Sequence, residues 1–112
     1  MRQVRAIAAM LARIVGLRLS GETDQARAEL ERSYSLLLGS QGELLRQVDS
    51  STAARLLGTY ERVLAFAQLL DEEAEQETDE RRRSHLRERA MELRVEAERL
   101  DPGNPKLFNH EG

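Results

Sequence analysis

Both prolines of this 112-residue chain, Pro102 and Pro105, lie in its last eleven positions. The 101 residues before them therefore contain nothing that must break a helix. Ala, Leu, Glu and Arg, all strong helix formers, supply 13, 18, 15 and 16 residues, 62 of the 112. Val, Ile and Thr together supply only 11. A sheet protein is excluded and the expected class is all-α. The chain has no cysteine, which excludes a disulfide scaffold and a cysteine-based metal site. Its length suits one domain, residues 1–112, with a single core.

A formal charge of −3, with 33% charged and 40% hydrophobic residues, describes a folded chain and points to no particular partner. Arg2 and Arg5 precede an apolar stretch, Ala6 to Ala12, but Arg13 ends it after seven residues. That is short of a secretory leader and far short of the ~20 apolar residues of a spanning helix. The expected location is the cytoplasm.

Helical periodicity divides the chain into helix one (1–20), helix two (22–39), a short helix (43–48), helix three (51–76), helix four (79–101) and a capping turn and tail (102–112). Gly21 suits the left-handed end of helix one, and Asp49, Ser50 and Ser51 offer N-caps for helix three. Ala53, Leu57, Tyr60, Leu64 and Ala67 line one edge of helix three, with Gly58 read as a point of close approach. Helix four carries one narrow stripe, Leu86, Ala90, Leu93, Ala97 and Leu100. The expected architecture is an antiparallel bundle of about four long helices with a short helical insertion.

Helices one and three have more apolar surface than one neighbour covers. Beside the main stripe of helix one lie Met10 and Leu17, and outside the arc of helix three lie Phe66 and Leu69. An uncovered patch of this type marks an interface. The expectation is a homodimer, or docking of another protein, through Met10, Leu17, Phe66 and Leu69, with no catalysis and no cofactor.

Two stretches resemble the tetratricopeptide helix pair, with its small residues where helices touch. Gly21, Ala26, Leu30 and Ser33 match the first; Ala90, Ala97 and Pro102 match the second, whose end resembles a repeat junction at 100–105. The pattern departs where tryptophan and tyrosine are missing from the first unit, where Arg94 takes an apolar position, and in having no 34-residue period. The whole chain also resembles a family of small, all-helical, uncharacterised bacterial proteins with tetratricopeptide-like ends, through residues 11–17 and 64–70. That resemblance implies a helical fold and transfers no catalytic residue.

Other chemistries have specific carriers. A helical metal–carboxylate site needs Glu-x-x-His motifs, but Arg82 stands three residues before His85, and His110 lies in the tail. Glu73, Glu77 and Glu80 are spaced to share a helix face, with Glu88, Glu92 and Glu96 as facing acids, so one alternative is a metal-dependent hydrolase using residues 72–80. Pairs such as Glu77–Arg81 and Asp79–Arg83 at i,i+4 would instead neutralise these acids. The other alternative is a regulator binding nucleic acid or an anionic surface through Arg81, Arg82, Arg83, Arg87 and Arg89. Seven acids between Asp71 and Glu80 oppose that patch, and the aromatic residues lie elsewhere, so nucleic acid is not the expected partner.

Overall fold

The computed structural model describes residues 2–100, and the side chains of residues 4–100. The expected capping turn and tail, 102–112, with Pro102, Pro105, Phe108 and His110, lie outside the described residues. Six α-helices follow in order: α1 (Arg2–Leu19), α2 (Thr23–Leu38), α3 (Gly42–Gln47), α4 (Ser50–Leu57), α5 (Tyr60–Gln76) and α6 (Glu80–Leu100). A 3₁₀ turn, Gly39–Gln41, joins α2 to α3. There is no strand among the described residues.

Helix α1 ends where Gly21 takes a left-handed conformation, φ +80°. The Glu22 N–H then donates back to the Leu17 carbonyl at 2.9 Å, closing the last turn. Three residues later α2 runs back along α1, burying Ala26, Leu30, Ser33, Tyr34 and Leu37. The Ser33 hydroxyl satisfies itself on the Glu29 carbonyl at 3.0 Å. The short α3 buries Leu45 and leaves Leu44 half exposed.

Residues 51–76 do not form one helix. Gly58, at φ +86°, closes α4 by donating its N–H to the Ala54 carbonyl at 2.9 Å. Thr59 then caps α5, its hydroxyl accepting from the Arg62 N–H at 3.2 Å. A Cβ on Gly58 would meet nothing within 4 Å, so this glycine serves the turn and not a close approach. The Arg62 guanidinium braces the break, donating to the carbonyls of Leu57 at 3.3 Å and Leu37 at 3.1 Å.

Helix α5 is the hub. It packs on α6, α2 and α1, with a lesser contact to α4. Val63, Ala65, Phe66, Ala67, Leu69, Leu70 and Ala74 are all buried, so apolar residues on several sides of α5 find a neighbour within the chain. Phe66 meets Tyr34 edge-on, ring centroids 6.2 Å apart. Helix α6 buries Ala90, Leu93 and Ala97 against α5 and α4.

This arrangement corrects the expected interface. Phe66 and Leu69 are 0% exposed, because α5 is covered by three other long helices rather than one. Neither residue is available to a partner. Met10 and Leu17 are half-buried, with Leu17 packed against the core.

Candidate functional site

On one side of the hub, α1 and α6 stand apart as the two walls of a groove whose floor is α5. The groove holds about 450 Å³ and is lined by Leu11 and Val15 of α1, Gln68, Asp71, Glu72 and Glu75 of α5, and Arg87 and Arg94 of α6. Both walls follow from helical spacing. Leu11, Val15 and Leu19 recur every four residues on α1, and Arg87, Met91 and Arg94 recur at four and three on α6.

The floor is acidic and each acid is matched from a wall. The Arg18 Nε donates to Glu72 Oε2 at 2.7 Å, and its Nη2 to Oε1 at 3.3 Å. Glu72 is only 5% exposed, so the pair stands largely out of water. Arg18 also approaches Glu75 at 3.6 Å. From the other wall Arg87 reaches Glu75 at 2.6 Å and Arg94 reaches Asp71 at 2.7 Å. The hydrogen bond from Arg87 holds the Glu75 carboxyl below its ordinary value of 4.5, with Arg18 helping and burial opposing. The bond to Glu72 raises Arg18 above its already high value.

Three carboxylates and three guanidiniums thus cancel along the groove, and no carboxylate lining it is left uncommitted to take a proton or a metal ion. The helices that form the walls also expose apolar side chains: Leu19 of α1 is 74% exposed, and Met91 and Val95 of α6 are 67% and 52% exposed. Met91 and Val95 went unremarked in the sequence, although an apolar pair four apart and off the Leu86–Ala90–Leu93 stripe is a legible signal.

A second cluster sits between α2, α3 and α5. The Tyr34 hydroxyl donates to Glu73 Oε1 at 2.6 Å, and the Arg46 Nη2 donates to both carboxylate oxygens at 3.0 and 3.1 Å. The Arg46 guanidinium lies 4.2 Å over the Tyr34 ring. Burial, then the neighbouring Glu73 charge, drives the Tyr34 hydroxyl far above its ordinary range. Arg89 extends the cluster from α6, donating to the Leu45 carbonyl at 2.8 Å with its guanidinium 5.8 Å from the Phe66 ring. Burial lowers its pKa. These contacts pin α3 to the bundle.

The acidic segment is arranged differently from its expected helical spacing. Helix α5 ends at Gln76, and Glu77 is extended at ψ 130°, so Glu77 shares no helix face with Glu73 or Glu80. Its partner is Arg82 at 3.1 Å, not Arg81. Arg83 pairs with Glu80 at 3.4 Å and donates to the Glu77 carbonyl at 2.8 Å. Asp79 accepts from the Arg82 N–H at 3.0 Å, the bond of a helix cap. Of the facing acids, Glu92 accepts from Ser50 at 2.8 Å. Of the expected cationic patch, Arg82, Arg83, Arg87 and Arg89 all have intramolecular partners. His85 is exposed. Among the described residues no group of three His, Asp or Glu is placed to hold a metal ion, and no helix is long and apolar enough to cross a membrane.

No protein-family model, no curated protein and no solved structure matches this chain.

Proposed function

We propose that this protein is a helical interaction module, acting in the cytoplasm without chemistry of its own, whose α1–α5–α6 groove receives a helix. One observation carries the reading: the two helices that wall this charge-compensated groove also carry exposed apolar residues, Leu19 on α1 and Met91 and Val95 on α6. An amphipathic helix laid there would cover them and meet a floor whose charges are already paired. The resemblance to tetratricopeptide pairs supports the same reading, with Ala26, Ser33, Ala90 and Ala97 buried where helices touch.

The acids and arginines of residues 72–89 favour neither the hydrolase nor the nucleic-acid alternative, because most of them have partners within the chain. The test of the module is retention of a protein partner by the wild type and by Leu19→Glu and Met91→Glu. Both positions are exposed, so the fold stands in either variant. A partner held by the wild type and released by both substitutions supports the proposal; retention indifferent to them, or none at all, refutes it.

A further inference from the structure

Residues 39–48, between α2 and α4, have little of their own to hold them to the bundle. Helix α3 has six residues, well short of the ~12–15 that an isolated helix needs, so its form depends on docking. Of residues 39–48 only Leu45 is buried, whereas α5 buries seven apolar side chains. A cleft of about 350 Å³, lined by Tyr34, Ser35 and Leu38 of α2 and Glu43 and Arg46 of α3, lies between the two helices, so they are not packed flush. Elements that move are drawn from the least stable parts of a fold, and few buried apolar contacts mark them.

Two arginines supply the rest of the hold. Arg46 reaches out of α3 to Glu73 of α5 at 3.0 Å, and Arg89 reaches in from α6 to the Leu45 carbonyl at 2.8 Å. The Arg46 side chain is already 34% exposed, so water replaces its ion pair at small cost. Both ends of the segment leave helical geometry: Gly39 stands at φ +61°, and Val48 and Asp49 are extended at ψ 163°. Motion of α3 therefore bends neither α2 nor α4. From this we infer that residues 39–48 form a lid that opens as one unit about Gly39 and Val48 while the other five helices stay folded. Opening lifts Leu45 out of the core and carries off Arg46, whose guanidinium lies 4.2 Å over the Tyr34 ring when the lid is down. Tyr34, 3% exposed in the closed form, is then uncovered beside a Glu73 carboxylate that has lost its cation. The lid and its tethers include none of the residues lining the α1–α5–α6 groove, so it stands or falls independently of the interaction module.

Native-state hydrogen exchange on the full chain tests the lid without any substitution. The Val48 N–H bonds the Leu44 carbonyl at 3.0 Å and reports the lid; the Leu69 N–H, within α5, reports the hub. Amides 46–48 should share one opening, at least ~100-fold more populated than that of Leu69 and less dependent on urea because it exposes less surface. Arg89→Met should accelerate Val48 by at least ~10-fold beyond any change at Leu69. In Tyr60→Phe, which leaves Tyr34 as the only tyrosine, tetranitromethane should modify Tyr34 faster once Arg89→Met is added. Four results would each overturn the lid: Val48 and Leu69 exchanging through one common opening, unequal openings within 46–48, equal acceleration of Val48 and Leu69 by Arg89→Met, or Tyr34 modification indifferent to that substitution.

Discussion

Arg18 and Glu72, 54 positions apart in the chain, meet at 2.7 Å where α1 crosses the hub helix, and the carboxylate is almost wholly removed from water. Such a pair owes its value to completeness. Its attraction offsets the cost of desolvating two charges, and removing either partner strands the other.

Arg18→Met should therefore destabilise the fold by about 3 kcal/mol, since Glu72 is left buried with only Gln76, at 3.4 Å, as donor. The double variant Arg18→Met, Glu72→Met should recover much of that loss. Urea denaturation of the two singles and the double measures the coupling; additive losses would contradict a buried, mutually dependent pair.

Gly58→Ala is expected to cost about 1–2 kcal/mol, because a φ of +86° is unfavourable for any residue with a Cβ. Thr59→Ala should add about 1 kcal/mol by removing the cap of α5. If residues 51–76 were instead one continuous helix, Gly58→Ala would stabilise it, so the sign of the change in melting temperature decides.

Tyr34→Phe removes one donor to Glu73 while Arg46 stays in place, and should cost about 1 kcal/mol. Hydrogen exchange offers a second readout. Amides of α3 should exchange faster in Arg46→Met, which removes the charge partner of Glu73 and the cation over the Tyr34 ring.

Acidification should weaken the groove pairs in a definite direction. The Glu75 carboxyl lies below 4.5 when folded, so its contribution is present above that value and is lost as pH falls through the depressed folded pKa. Melting temperature followed from neutral pH into the acid range should fall less steeply in Glu75→Gln than in the wild type. Identical slopes would remove Arg87–Glu75 from the account.

Two neighbours on α6 separate core from surface. Leu93 is 0% exposed and Met91 67%. Leu93→Ala should cost about 2–5 kcal/mol and Met91→Ala almost nothing. Denaturant midpoints test both.

The helix breaks illustrate what was legible. Gly21 marked the first turn correctly, because a helix end is decided by a few adjacent residues. The second break was missed although Gly58-Thr59 carries the same local vocabulary: the apolar spacing 53, 57, 60, 64, 67 runs straight through it and imitates one helix. In the acidic segment helical spacing was likewise carried through a break. Pairing Glu77 with Arg81 assumed helical spacing, and α5 had already ended at Gln76.

The sequence by itself determined that this protein is all helix. Composition, the absence of an early proline and 3.6-residue periodicity act through hydrogen bonds that close within four residues. It also marked which stripes are apolar. Only the tertiary structure decided which of those stripes are covered: Phe66 and Leu69 vanished into a three-sided hub, while Met91 and Val95 were left exposed. Burial depends on where helices some fifty residues apart come to lie, and periodicity within one helix contains no information about the number of its neighbours.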